Sequence, residues 1–556
     1  MNGITIVAVV ILLVVLLIIK SVYDAVNDRK KMMERLMDEW GRAKDIEYAP
    51  GKIDSIKKFY LKDYAETDVD DITWNDLDMD ELFMMLNHTE SAMGEEVLYS
   101  ILRRPVTDKE EIRYRDRLIS FFYENEADRM ALQSRLAEIG RNRVFSFFEY
   151  FQNIDSVKRE TNILHYIVDA VWLIGIGMVF VSVEAALMII VMNILLAIST
   201  YYRRKLQIDS YYSIINYLLK MLYSADKIAR LEIKGAENEL GMLRIAIRKL
   251  SGIRRNSGIV LNPNGGSIID VLVDYVRMLT HIDLIKFNKM IRLINSNRDS
   301  IMEVHRIIGL LDTCIAAASF RKMQEDTGWC VPVLTDDKVL DAKDIYHPFL
   351  ENPIYNSYKS DRCALITGSN ASGKSTFLKT MAISAIMAQT VATVCASEYR
   401  ASCYRVMTSM ALNDNIFNNK SYFIVELQSL KRIVDCENDT PVLCCIDEVL
   451  RGTNTIERIA ASGRILRSLA KAGVLCFAAT HDIELASILN EYYDNYHFRE
   501  RIVDDNIEFD YILHNGSAVT RNAINLLQIL GYDRDVVESA REDADYFEKQ
   551  GVWRKI

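Results

Sequence analysis

The segment Gly368-Ser369-Asn370-Ala371-Ser372-Gly373-Lys374-Ser375 fits GxxxxGK[ST] at every fixed position, and little else in the chain constrains its fold so tightly. Such a loop works only between a buried strand and the start of a helix. Its glycines let backbone N–H groups turn toward phosphate oxygens, and the helix N-terminus adds positive potential. The flanks agree. Cys363-Ala364-Leu365-Ile366-Thr367 is a short apolar run that predicts a buried strand, and Phe377, Leu378, Met381 and Ala385 predict a helix with one apolar face. Lys374 is expected to reach the β- and γ-phosphates, and Ser375 to ligate Mg2+. Gly368, Ser369, Asn370, Ala371, Ser372, Gly373, Lys374, Ser375 and Thr376 are the candidate nucleotide-binding residues.

Two further apolar runs end in polar residues suited to the same chemistry. Pro441-Val442-Leu443-Cys444-Cys445-Ile446 leads into Asp447-Glu448. An Asp at that strand end can hold the magnesium shell, and the following Glu can orient or deprotonate an attacking water. The bland alternative is an acidic pair that caps a helix. Val474-Leu475-Cys476-Phe477-Ala478-Ala479 leads into Thr480-His481-Asp482, with His481 a candidate sensor of the γ-phosphate. The catalytic candidates are therefore Lys374, Glu448 and His481; the metal candidates are Ser375 and Asp447. All fall at strand C-termini, where open α/β sheets bind ligands.

The same region resembles the MutS family of mismatch-repair ATPases. Asn413-Asp414-Asn415-Ile416 with Ser421-Tyr422-Phe423-Ile424-Val425-Glu426 is similar to that family's D-N-L and S-T-F-x-x-E-M segment. Asp447-Glu448-Val449-Leu450-Arg451-Gly452-Thr453-Asn454-Thr455 is similar to its D-E-x-G-R-G-T-S-T. Asn515 to Ile524 resembles its closing segment, and Asn87-His88-Thr89-Glu90-Ser91-Ala92-Met93-Gly94 the opening of its helical core and lever. The resemblance implies ATP and Mg2+ as cofactors and a homodimer with composite sites, in which Ser421 reaches the partner's nucleotide. It also makes DNA a candidate client. Tyr355 or Phe349 is a candidate for stacking on adenine. The family's Phe-x-Glu mismatch wedge has only chance matches, Phe122-Tyr123-Glu124 and Phe147-Phe148-Glu149, inside helical-looking stretches.

Outside this region the patterning is helical or membrane-like. Gly3 to Ile19 is apolar but for Thr5, and Lys20, Arg29, Lys30 and Lys31 follow, as in an uncleaved anchor. Ile163 to Tyr201 is about twice the length of one span, with Glu184 near its middle, which suggests a hairpin whose turn returns Glu184 to water. Lys158 and Arg159 flank one end and Arg203, Arg204 and Lys205 the other, so both ends are expected in the cytoplasm. A buried hairpin of a soluble protein is the alternative. From Leu206 to Arg321 the apolar spacing predicts long helices, broken at Asn262-Pro263-Asn264-Gly265-Gly266; Arg244, Arg248, Lys249, Arg254 and Arg255 form a local basic cluster. The net charge of −10 excludes a global basic field for polyanions. The nine Cys lie between Cys314 and Cys476 without CxxC spacing, which reads as reduced thiols.

The expected architecture is an α/β P-loop ATPase domain joined to an all-α lever/core domain, with transmembrane helices. Its parts are an anchor at 1–23, a linker at 24–79, a helical core at 80–330 with a hairpin at 163–201, and an ATPase domain at 331–556 ending in dimerisation helices. The expected protein is a multi-pass membrane ATPase with three spans, its N-terminus out and its ATPase domain cytoplasmic. The alternative is a membrane-bound remodeller of protein partners with no DNA role.

Overall fold

The computed structural model describes residues 3–555 apart from 45, 143, 145, 155–160, 256–274, 370–371, 411–421, 437–439, 452, 472, 504–505, 518–523, 525–526 and 528–530. Two compact units divide the chain: 1–65, 83–103 and 113–326 form one, and 66–82, 104–112 and 327–556 the other. The chain begins with α1 (Gly3–Asp38) and α2 (Lys52–Leu61), contributes α3 (Asp71–Asp76) to the second unit, and returns through α4 (Met79–Leu86). The stretch 24–79, expected as a linker, instead carries three helical segments whose apolar sides are buried at Leu36, Ile56, Phe59 and Trp74. Its mixed charge hid this pattern.

The first unit continues through α5 (Ala92–Arg103), most of α6 (Lys109–Glu124), α7 (Glu126–Ile139), α8 (Phe147–Asn153), α9 (Ile163–Met178), α10 (Val183–Ala229), α11 (Glu237–Lys249), α12 (Ser251–Arg255), α13 (Ile282–Ser296) and α14 (Arg298–Met323). The break at Asn262–Gly266 lies outside the described residues. Helix α14 is the axis of this unit, with residues on every side buried from Ile301 to Arg321. It meets α5 so closely that a Cβ on Gly94 would lie 2.3 Å from Asp312 Oδ2, so only glycine permits the approach. The buried Asp312 carboxylate accepts from the backbone N–H of Glu90 (3.0 Å) and Ser91 (2.8 Å) and from Ser91 Oγ (2.6 Å). It thereby caps α5 from another helix. Other residues of the same segment are also engaged: Asn87 Nδ2 donates to Tyr48 Oη at 2.6 Å, and His88 Nδ1 lies 3.2 Å from Ser319 Oγ. The polar run Asn87–Gly94 is therefore a structural joint. Phe122 and Phe147, from the two Phe-x-Glu triplets, are both core residues.

The apolar block 163–201 forms a helical hairpin of α9 and the start of α10. Its turn spans 179–182, and Ser182 Oγ accepts from Ala185 N at the start of α10. Asn193 Nδ2 donates to Val168 O (3.1 Å) and Gly175 faces Ile190, so the two helices pack on each other while the outer surfaces stay exposed. Phe180 at the tip is 89% exposed. Among the described residues one helical stretch, Val183–Ile208, is long and apolar enough to cross a membrane; α9 has 16 residues and is shorter. Three spans were expected. Half of the apolar block is thus too short as a helix by the length criterion, and within α1 the described side chains begin at Leu12. In the basic cluster, Arg244 Nε donates to Ala229 O (2.6 Å) and Arg254 pairs with Asp226 (2.5 Å), so part of that charge is committed within the fold.

The second unit is mixed α/β. Its strands are β1 (Val333–Thr335), β2 (Leu340–Ile345), β3 (Asn356–Ser360), β4 (Cys363–Thr367), β5 (Glu398–Ser402), β6 (Arg405–Ser409), β7 (Val442–Asp447), β8 (Val474–Thr480), β9 (Tyr493–Val503) and β10 (Asn506–Asn515). Among the described residues they form a four-stranded sheet, β1-β5-β2-β3, and a six-stranded sheet, β10-β9-β4-β8-β7-β6. In the larger sheet every pairing is parallel except β9 with β10. Helices α15 (Lys374–Thr390), α16 (Tyr422–Val434), α17 (Thr455–Leu469), α18 (Glu484–Ile488) and α19 (Arg534–Gln550) complete the unit. One sheet face carries Cys363, Leu365, Cys444, Ile446, Cys476 and Ala478 against Leu430, Ile433, Leu466 and Leu469. Phe477 points the other way, as strand alternation requires, and packs on Phe377 of α15. Helices on both faces explain why β4, β7 and β8 are continuous apolar runs.

Replacing Asp312 with Ala would leave the Glu90 and Ser91 donors unsatisfied in the core. We expect Asp312→Ala to cost about 2–4 kcal/mol in urea unfolding, and a loss under about 0.5 kcal/mol would refute the capping role.

Candidate functional site

In-register parallel pairing decides what meets at the top of the larger sheet. Thr367 of β4 lies opposite Thr480 of β8, and Asp447 of β7 lies opposite Ala479. The three strands therefore end at one level, and the residues that follow converge. Gly373 adopts φ 104°, a left-handed conformation, immediately before Lys374 opens α15. A Cβ at Gly373 would also meet the Tyr511 ring at 3.1 Å. The left-handed φ favours glycine there, and the close Tyr511 ring leaves little room for a side chain.

Lys374 Nζ donates to the carbonyls of Gly368 (2.8 Å) and Ser369 (2.6 Å). Burial lowers its pKa to about 8, against the upward pull of Asp447 and Glu448. Ser369 donates to Glu500, and the buried Ser372 hydroxyl has no hydrogen-bond partner among the described residues. Ser375 Oγ donates to Asp447 Oδ2 at 2.5 Å, which places a hydroxyl and a carboxylate side by side. Hard oxygen donors in this arrangement fit Mg2+. Asn370 and Ala371 lie outside the described residues, as do Ser421, Asn413–Ile416 and Gly452.

Glu448 and Leu450 both adopt φ 62°, so the turn after β7 is held in an unfavourable backbone region. Glu426 of α16 holds it: its Oε1 accepts from Leu450 N (2.5 Å) and Arg451 N (3.3 Å). That turn presents Glu448 to His481 Nε2 at 2.8 Å and to Arg451 Nη2 at 3.0 Å. Burial alone would raise the Glu448 pKa, but the hydrogen bonds and charges of His481 and Arg451 prevail and hold it at about 2. It is a carboxylate at neutral pH. Arg458 pairs with both oxygens of Asp482, at 2.9 and 2.5 Å, and so fixes the loop that carries His481. Glu426, Arg451 and the Arg458–Asp482 pair were not singled out as site residues from the sequence, because their contacts close over 24 residues or across a turn.

Beside the loop lies a cavity of about 570 Å3 lined by His347, Ile354, Phe377, Phe498, Phe509 and Tyr511 among others. Gly373, Thr376 and Tyr511 line both this cavity and the smaller one at Lys374, Ser375, Asp447 and Glu448. Burial lowers the His347 pKa to about 4, so its ring is neutral. Tyr511 sits in a register shift of β10, at φ 53°. Asn356 clamps that irregularity, donating to Tyr511 O (3.0 Å) and accepting from Leu513 N (2.7 Å). Tyr355 and Phe349, the expected aromatic platforms, are not among the lining residues. Tyr355 Oη bonds Thr327 O and Phe349 packs on His347. An irregular strand is what brings Tyr511 in, and residue spacing carries no sign of it.

These features define a mixed α/β unit with a glycine-rich loop at the C-terminal edge of a largely parallel sheet, in a chain whose other unit is helical. The MutS family supplies both matches: MutS domain III covers residues 67–318 and MutS domain V covers residues 364–548. The DNA mismatch repair protein MutS of Natronomonas pharaonis is 30% identical over 261 residues, 44% of this chain and 29% of that protein. MutS of Persephonella marina is 28% identical over 263 residues, 45% of this chain and 30% of that protein. The DNA mismatch repair protein MSH6 of Saccharomyces cerevisiae is 32% identical over 206 residues, 36% of this chain and 16% of that protein. The chain spans less than a third of the length of these relatives.

The buried Lys374 ammonium has a stability consequence. Between about pH 8 and 10.5 the unfolded chain holds this proton and the folded chain does not, so stability rises with pH across that window. We expect Lys374→Met to stabilise the free protein at pH 7, by at most about 3 kcal/mol, with the difference fading toward pH 10.5. Urea unfolding at both pH values tests it; a pH-independent difference would contradict the burial argument.

Proposed function

We propose that this chain is a membrane-anchored, dimeric, MutS-like ATPase that works as an ATP-driven switch. One observation carries the reading: Lys374, the Ser375–Asp447 pair and the Glu448–His481 pair converge at aligned strand tips beside an aromatic cavity. Lys374 and the loop amides bind the β- and γ-phosphates. Ser375 and Asp447 hold Mg2+, which when bound neutralises phosphate charge. Glu448, fully ionised, orients the attacking water and accepts its proton. His481, hydrogen-bonded to Glu448, reports the state of the γ-phosphate position. Tyr511 and His347 hold the adenine ring in the neighbouring cavity. Ser421 of each subunit completes the partner's site, as the family resemblance implies, and hydrolysis resets the helical unit.

DNA is the client we propose, following the names of the relatives, and the exposed apolar hairpin together with α1 anchors the protein with its α/β unit on the cytoplasmic side. Basic residues on one side of each apolar stretch support that orientation.

Lys374→Ala is expected to abolish ATP turnover. Glu448→Gln should keep ATP binding while lowering kcat by about 10²–10³-fold. Wild-type turnover in either variant would remove the assignment. Tyr511→Ala should weaken ATP binding about tenfold or more, a loss of about 1.4 kcal/mol, while Tyr355→Ala leaves it unchanged. Equal effects would displace Tyr511 from the base site. For the client, detergent-solubilised protein is titrated with duplex and branched DNA at rising salt. Binding that falls steeply with salt supports DNA, and no binding at low salt selects protein clients instead.

A further inference from the structure

The two long apolar stretches of the helical unit start from one anchoring point. There Ala92 N donates to Gly140 O (3.2 Å) and to Tyr217 Oη (3.4 Å), and Tyr217 Oη donates to Gly140 O (2.8 Å). Glu90, just before Ala92, pairs with Arg35 at 2.7 Å. Arg35 lies on α1, Tyr217 on α10, and Gly140 is the C-cap of α7. Both helices run against α7. In the turn just after α1 the Trp40 ring lies 3.6 Å from the Arg129 guanidinium, well back toward the start of α7. On α10 Lys227 pairs with Glu138 at 2.7 Å, also before Gly140. Traced toward their N-termini, α1 and α10 therefore both rise past Gly140.

Their apolar stretches then fall at matching heights. At ~1.5 Å per residue, Ile19 lies about 24 Å beyond Arg35 and Gly3 about 48 Å, while Tyr202 lies about 22 Å beyond Tyr217 and Val183 about 51 Å. Segments remote in sequence thus occupy one interval about 25–30 Å thick, close to the ~30 Å hydrocarbon core of a bilayer. Exposed apolar side chains fill it: Leu12 is 59% and Leu195 60% exposed. Lys20 on α1 and Arg203 and Lys205 on α10 mark its near edge, with Arg29, Lys30 and Lys31 nearer the anchoring point. On α10 the charged residue within the interval is Glu184, at the far edge. A basic border on one side suits anionic lipid headgroups.

We infer that the apolar halves of α1 and α10, together with α9, sit in a single bilayer as one foot whose near face stands about 22–24 Å from Gly140. This rests on the membrane reading above and adds its geometry: one plane, a set standoff, and an unbroken α10 of 47 residues running from lipid into the helical core.

The test places a nitroxide at Leu12→Cys, Leu195→Cys or Val26→Cys of the full chain, with Cys330 and Cys436, the two cysteines that are not fully buried, replaced by Ser. The protein is reconstituted into phosphatidylcholine vesicles containing a minority of phosphatidylglycerol, and depth is read from the relative collision rates with oxygen and a water-soluble nickel chelate. We expect labels at 12 and 195 to lie at the same depth within about one helical turn, ~5 Å, and the label at 26 to face water. Depths at 12 and 195 that differ by more than about 10 Å, or one label in lipid and the other in water, would overturn the common plane while leaving membrane attachment intact. Both labels in water would remove the membrane reading and this inference with it.

Discussion

Parallel register across β4, β8 and β7 is the constraint on which the candidate site depends. A strand shifted by one residue would exchange the side chains that face its two helical layers and move its terminal polar residue out of reach. Because Thr367, Thr480 and Asp447 end at one level, the loop before Lys374, the Asp447–Glu448 turn and the His481 loop share one edge. Alternation does the rest. Cys444, Ile446, Cys476 and Ala478 face one helical layer and Phe477 the other, so the register is enforced from both sides of the sheet.

Strain and support meet at that edge. Glu448 and Leu450 take backbone angles that non-glycine residues rarely adopt, and Glu426 receives the amides of Leu450 and Arg451. Tyr511 is similarly displaced and similarly clamped, by Asn356. In both cases a side chain distant in sequence binds the backbone of an irregular turn. Each functional group is held by its neighbour's hydrogen bonds instead of by regular secondary structure, so its position is set without blocking the face it presents.

The helical unit solves a different problem. Its core includes polar groups, and each of the key ones is matched: Asp312 with the Glu90 and Ser91 amides, Lys52 with Glu95 at 3.2 Å, His305 with Glu96 at 2.7 Å. Such groups add little net stability, but removing one partner strands the other in a low-dielectric interior. They fix which helix faces meet, and so fix where α1 and α10 emerge.

Several features were legible in the order of residues. Short apolar runs before Gly368, Asp447 and His481 mark strands, because a strand buried on both faces must be apolar throughout. The glycine-rich loop, its Lys374 and Ser375, and the turn at the hairpin tip are local, set by neighbours in the chain. Other features were not. Glu426, Arg458, Asn356 and Tyr511 act across contacts that only folding closes, and Asn87–Gly94, legible as a family-like segment, shows only in the fold that Asp312 caps the helix it opens. The helices within 24–79 were obscured because charged residues can cover a buried face with their aliphatic stems. Sequence alone determined the chemistry available at the strand tips and the apolar character of α1 and the hairpin. Tertiary structure decided which remote groups hold those tips in place and at what height the apolar stretches stand, because hydrogen bonds and helix packing depend on distance in space, which the chain order does not contain.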